Sequence, residues 1–149
     1  MPEYLETQVD KFFFKVATDR LYSREGVWVK KEGASVQVGL TDYLQQLSGD
    51  IAFADVKPVG TEVTPGDEVA SIETIKVDAV IHSPIHGKIN LVNPKMQSEP
   101  EAINQDPYGE GWLCQLEVTD WEEDSVHLLA PDAYFVIMKA EAEEEAKKL

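Results

Sequence analysis

"SIETIKVDAVIHSPIHG", residues 71–87, sets a lone lysine, Lys76, between Ile75 and Val77 in a run rich in β-branched residues. A lysine is rarely buried, because its charge leaves water only at a large cost. Val69 to Ile72 reads as one strand and Asp78 to His82 as the next. The short segment between them, beginning "ETIK", leaves room only for a tight reversal. Lys76 is therefore expected at or beside a hairpin tip, with its side chain in water. An ordinary solvated turn lysine would satisfy the same local pattern.

Outward from this hairpin the pattern repeats. "PVGTEVTPGDEVASI" sets Pro58, Gly60, Pro65 and Gly66 between short β runs, and "HSPIHGKINLV" does the same with Pro84 and Gly87. Short strands at such spacing indicate a small all-β sandwich or barrel. Upstream, "GVWVKKEGASVQVGL" reads as two strands about a Glu32-Gly33 turn, with Val36 and Val38 alternating with Gln37. "TDYLQQL" reads as a short helix: Thr41 is a good N-cap, Tyr43, Leu44 and Leu47 have helical spacing, and Gly49 is a stop signal. "DIAFADV" is a further strand. "FFFKV", Phe12 to Val16, is expected as a strand or docking segment over the core. "DPYGEGW" is a turn cluster and "WLCQLEV" a closing strand. "APDAYFVIMKAEAEEEAKKL" predicts a C-terminal helix with Pro131 near its first turn, i,i+4 pairs Glu143–Lys147 and Glu144–Lys148, and a frayed end. The expected organisation is a single mainly-β domain over 1–149: an N-terminal arm (1–20), a β core with the Lys76 hairpin (21–130), and a helix with an acidic tail (131–149).

Composition narrows the function classes. The chain has 149 residues and a net charge of −15, with 43% apolar and 28% charged residues. Nucleic-acid binding is disfavoured, because it requires clusters of Lys and Arg. Partners with basic docking surfaces are favoured. No apolar run of spanning length and no signal-peptide pattern is seen, so no membrane association is expected. A single cysteine suggests a reducing, cytoplasmic setting. Cys114, between Leu113 and Gln115, is expected to be a buried, inert thiol. His82 and His86 flank Pro84, and His127 is far away in sequence, so no metal site is expected. No serine–histidine–acid order or phosphate loop stands out, which points away from an enzyme.

The quoted segments together resemble the glycine cleavage H-protein family. The resemblance runs from about Tyr22 to Tyr134 and is carried by "VGLTDYLQQLSGDI", "SPIHGKINLVN", "INQDPYGEGW" and the carrier motif Glu73-Thr74-Ile75-Lys76-Val77. It implies a barrel-sandwich hybrid of the lipoyl/biotinyl hammerhead type, with a short internal helix and a C-terminal helix. It also implies lipoate covalently attached to Lys76 by a lipoate ligase or lipoyl transferase, with no catalysis by the carrier itself. Glu73, Thr74, Ile75 and Val77 would then shape the hairpin that the ligase recognises; for Glu73 a plain solvated role is the alternative. A biotin carrier usually flanks its lysine with methionines, whereas here Ile75 and Val77 do. The competing class is an interaction protein in which Lys76 stays bare.

The chain also departs from that family. The resemblance implies a cleft in which carboxylates hold the cationic aminomethyl group, one just before the tryptophan of an S/D-H-E-W stretch and one four residues after the lysine. Here those positions hold Val27 and Val80, and Gly26 replaces the histidine. Glu25 and Asp78 are the nearby acids that could compensate. Val27, Val80 and His86 are the expected lining of an arm cleft. This pattern is similar to the H-protein-like lipoate-binding proteins of heterodisulfide-reductase-like sulfur oxidation. That branch implies a sulfur cargo, a heterodisulfide-reductase-like complex and a dihydrolipoamide dehydrogenase-type flavoenzyme as partners. The alternative is the H protein of glycine cleavage, with glycine decarboxylase and aminomethyltransferase.

Overall fold

The computed structural model describes residues 3–148; residues 1, 2 and 149, at the tips of the arm and tail, lie outside that range. The chain opens with β1 (Tyr4–Val9), β2 (Phe12–Ala17), β3 (Leu21–Tyr22), β4 (Val27–Glu32), β5 (Ser35–Leu40) and α1 (Asp42–Ser48). It continues with β6 (Ile51–Val56), β7 (Glu62–Val63), β8 (Glu68–Thr74), β9 (Asp78–His82) and β10 (Gly87–Val92). It closes with α2 (Lys95–Ser98), α3 (Ala102–Gln105), β11 (Cys114–Val118), α4 (Trp121–Ser125) and α5 (Pro131–Ala146).

Strand pairing is antiparallel throughout the three sheets: β1-β2, β3-β4-β5-β11-β10-β7, and β6-β8-β9. Alternation decides what turns inward. On β5, Val36 and Val38 are buried and pair across to Leu116 and Cys114 of β11. On the three-stranded sheet, Ile51, Ile72 and Ile81 are among the buried residues. These side chains join one apolar core between the two larger sheets, which is the barrel-sandwich architecture the sequence predicted.

A second core closes the other side of β4. It joins Val9, Phe14 and Val16 of the β1–β2 hairpin to Tyr22, Trp28 and the Tyr134, Met138, Ala142 stripe of α5. That stripe has the four-residue spacing that keeps side chains on one helix face. Tyr22 and Tyr134 stack with ring centres 4.7 Å apart. Arg20 is buried here. It meets Asp19 at 2.7 Å, donates to the Tyr108 carbonyl at 2.9 Å and lies 4.5 Å over the Trp28 ring. Burial alone would raise the Asp19 pKa, but the hydrogen bond and charge of Arg20 outweigh it and hold it low. The arm is thus a docked hairpin. Phe14 points in and Phe13 out, as a strand over the core requires.

One expectation needs correction. The tail lysines do not take the i,i+4 partners: Lys147 pairs with Glu144 at 3.1 Å and Lys148 with Glu145 at 3.2 Å, both i,i+3. Helical backbone persists to Lys147, whose N–H reaches the Glu143 carbonyl at 3.3 Å, so the shift lies in the side chains. The sequence also gave no warning of α2, α3 and α4, each too short to show a helical period.

Candidate functional site

The β8–β9 hairpin sets Lys76 at its tip. Its register pairs Glu73 with Asp78, Ile72 with Ala79 and Ser71 with Val80. The Thr74 hydroxyl oxygen accepts from the backbone N–H of Lys76 at 3.2 Å and of Val77 at 3.0 Å. The Thr74 N–H donates to the Val77 carbonyl at 2.8 Å. A threonine at this place fixes the loop with its own side chain. Ile75 is 98% exposed, and Lys76 and Asp78 are exposed with it. Among the described residues Lys76 forms no ion pair. Glu73 and Asp78 face one another as like charges, an arrangement that works against the hairpin.

The Lys76 stem lies over the end of α1. A methyl placed on Gly49 would stand 3.4 Å from Lys76 Cε and 3.9 Å from Nζ. Gly49 has φ +90°, a conformation that side chains rarely adopt, and its N–H closes the helix on the Gln45 carbonyl. Asn104 pins this corner. Its amide donates to the Gly49 carbonyl and to Gln45 Oε1, both at 2.9 Å, and its Oδ1 accepts from the Ile51 N–H at 2.9 Å.

Beside the lysine is an apolar groove of about 210 Å³, whose α1 wall is Tyr43, Gln46 and Leu47. The Tyr43 hydroxyl is buried with no hydrogen-bond partner among the described residues. Burial, and after it the charges of Glu141 and Glu145, push its pKa up. An exposed amine with an apolar groove alongside fits a tethered, largely apolar group. Lys76 would hold that group as an amide.

The three residues expected at an arm cleft lie apart from the groove at Lys76. Val27 is 2% exposed and belongs to the main core, opposite Leu40. Val80 is 47% exposed on the outer side of β9. His86 is turned to α4, where the buried Asp124 accepts from its N–H at 2.7 Å and lies 2.9 Å from Nδ1. This hydrogen bond, with the Asp124 and Asp120 charges, raises the His86 pKa despite some desolvation. None of these three lines the groove at Lys76. Of the two compensating acids, Glu25 meets His82 at 3.4 Å and Asp78 faces Glu73. Sequence reasoning did not foresee at Lys76 Gly49, which it read only as a helix stop, Asn104 or the groove face of α1. "TDYLQQL" showed a helix, but nothing in it marked Leu47 as exposed beside Lys76. Cys114 is fully buried, and burial pushes its thiol up to about 12. Among the described residues, no three or more His, Cys, Asp or Glu side chains gather as a metal site, and no helix is long and apolar enough to cross a membrane.

Lys76 thus stands exposed on a Thr74-capped hairpin tip. The family model "Glycine cleavage H-protein" matches residues 20–141. The chain is 37% identical over 121 residues to "Probable glycine cleavage system H protein" of Haloarcula marismortui, covering 81% of this chain and 94% of the relative. It is 43% identical over 113 residues to the glycine cleavage system H protein of Thermotoga maritima, covering 76% of this chain and 90% of the relative. The crystal structure of a glycine cleavage system H protein from Mycobacterium marinum superposes with a TM-score of 0.68 at 29% identity, over 78% of this chain and 94% of that one. The chain belongs to the glycine cleavage H-protein family, whose members are non-catalytic carriers holding lipoate covalently on a lysine.

Proposed function

We propose that this protein carries lipoate on Lys76 and moves a bound group between enzymes that do the chemistry. The observation that carries the proposal is Lys76 at the exposed tip of the Thr74-capped hairpin, within Glu73-Thr74-Ile75-Lys76-Val77. Lipoate supplies a dithiolane that takes up a group together with electrons. The chain supplies the rest. Thr74 fixes the lysine backbone, Gly49 turns the chain at φ +90° beneath its stem, and the exposed Ile75 and Val77 offer a lipoate ligase or lipoyl transferase an apolar hold.

The comparisons support the aminomethyl group of glycine cleavage as the cargo. The corresponding partners are glycine decarboxylase, aminomethyltransferase and a dihydrolipoamide dehydrogenase-type flavoenzyme. One observation favours a second reading, a sulfur cargo handled by a heterodisulfide-reductase-like complex. Where the resemblance implies carboxylates, Val27 is sealed in the core, Val80 is aliphatic, and the neighbouring Glu25 is engaged by His82. An ammonium group there lacks its counter-ion, whereas a neutral or anionic sulfur needs none.

One experiment tests both levels. After co-expression with a ligase, intact mass should rise by ~190 Da, the increment of a lipoyl amide. Lys76→Arg should abolish the increment and keep the fold. Lipoate found on Lys88 or Lys95 would remove Lys76 from the role. The lipoylated protein then goes into glycine–bicarbonate exchange with glycine decarboxylase. Exchange at the rate of an established H protein, with an equally long-lived loaded arm, supports glycine cleavage and ends the sulfur reading. Failure of exchange, with reduction by a lipoamide dehydrogenase intact and partial recovery in Val80→Asp, supports the sulfur cargo. Val27→Glu is not a useful companion, since it would bury a carboxylate in the main core.

A further inference from the structure

The N-terminal hairpin precedes the family match, which begins at residue 20, and its two edges are treated differently. The Thr18 N–H donates to the Glu3 carbonyl at 2.9 Å. With the β1–β2 register, this turns the backbone groups of Leu5, Thr7 and Val9 toward β2 and those of Tyr4, Glu6 and Gln8 away from it. On β2 the outward groups belong to Phe13, Lys15 and Ala17, and side chains close them. Asp42 accepts from the Lys15 N–H at 3.0 Å, and the Tyr108 hydroxyl donates to the Lys15 carbonyl at 2.8 Å. Gln46 donates to the Phe13 carbonyl at 2.8 Å, and the Tyr22 hydroxyl to the Ala17 carbonyl. On β1, no strand or side chain among the described residues takes the outward groups of Tyr4, Glu6 and Gln8. Nor does β1 carry the usual guards of an edge: its register has no bulge, and "YLETQV" has neither proline nor lysine.

We propose that β1 pairs with β1 of a second copy of this chain, joining two hairpins into one four-stranded antiparallel sheet. Two features select a second copy. The first is charge. Residues 4–17 hold two acids, Glu6 and Asp10, and two lysines, Lys11 and Lys15, so this hairpin is neutral in a chain of net charge −15. It is a place where two such anions can meet without direct repulsion, and it offers a basic partner nothing to prefer. The second is register. Only the outward groups can bond across the seam. A two-fold axis at Thr7 sets Glu6 opposite Gln8 of the copy, each such pair exchanging two hydrogen bonds, and it sets Leu5 opposite Val9 and Thr7 opposite Thr7. Pairing about Glu6 would instead oppose two carboxylates. The seam is short, so the dimer is of the weak, concentration-dependent kind. Val9 is also a wall of the groove at Lys76. In this register it stands four residues, about 13 Å, along the seam from Val9 of the copy, so both grooves border the seam. The pairing does not depend on lipoylation.

The test uses the full, unmodified chain. In sedimentation at physiological salt, where screening mutes the net charge, the mass should climb from the monomer value toward twice that value. The rise should fall between ~10 μM and ~1 mM, the range of weak complexes. Over the same range the amides of Glu6 and Gln8 should gain protection from hydrogen exchange, while that of Thr7, already turned to β2, should not change. Glu6→Pro removes an outward donor and leaves the β1–β2 ladder whole, so it should keep the circular dichroism spectrum and stay monomeric. Should that variant unfold, charge decides. Gln8→Glu sets two like-charged pairs across the seam and should weaken the dimer several-fold, and adding Glu6→Lys should restore it. A monomer throughout, a dimer without protection at Glu6 and Gln8, or a dimer that neither Glu6→Pro nor Gln8→Glu weakens would overturn the proposal.

Discussion

His86 hangs on the buried carboxylate of Asp124, and its titration follows from that contact. The folded-state pKa of His86 is raised above its ordinary 6.5. The contact's stabilisation is therefore fully present below 6.5 and is lost as pH rises through the raised value. Asp124→Asn keeps an acceptor for the His86 N–H but loses the charge. Its melting temperature should fall furthest below that of the unaltered protein at mildly acid pH, with the gap closing at alkaline pH. A gap independent of pH would show that the ion pair contributes nothing. Single residues were unevenly legible in the sequence. Lys76 was readable because the short segment between two strand-like runs leaves room only for a turn. Val27 was not, because "GVWV" is apolar on both strand faces. Val27 and Val29 serve the main core while Trp28 turns to the second, and no alternation distinguishes them. His86 was misplaced because its partner lies 38 residues away, on a helix too short to foresee.

At the scale of elements, the hairpin carries a built-in opposition. Glu73 and Asp78 sit directly across from one another on β8 and β9. Replacing Asp78 with threonine removes the repulsion and adds a good strand residue, and should raise the melting temperature by ~1–3 °C. If Glu73 is what the ligase reads, Asp78→Thr should be lipoylated at the normal rate and Glu73→Ala more slowly at a similar melting temperature. Full-speed modification of Glu73→Ala would leave it a solvated turn residue. β9 was legible to the residue, while β8 was read short, as Val69–Ile72 against Glu68–Thr74, since its burial does not strictly alternate. β1 was not, because "YLETQV" has too few apolar residues to announce a strand. It is held by pairing with β2 and by the second core.

For the whole molecule, the net charge of −15 sets how partners are met. Association with a basic ligase or flavoenzyme should be steered by this field and slow severalfold between low salt and 0.5 M salt, where screening shortens its reach to a few ångströms. Rates unchanged by salt would assign docking to the exposed apolar side chains around Lys76 instead. The all-β class was accessible from strand spacing, whereas the strand order was not. The second core was not, because it joins the two ends of the chain, and no local pattern couples residue 9 to residue 142. One buried group constrains the redox traffic of the whole. Cys114 is the only cysteine of this sequence, fully covered and with its thiol held protonated to about pH 12. A reduced lipoyl arm would meet no thiolate of its own chain with which to form a mixed disulfide. Its two sulfurs are left to close on each other or to pass their electrons outward, so the carrier cannot be short-circuited from within.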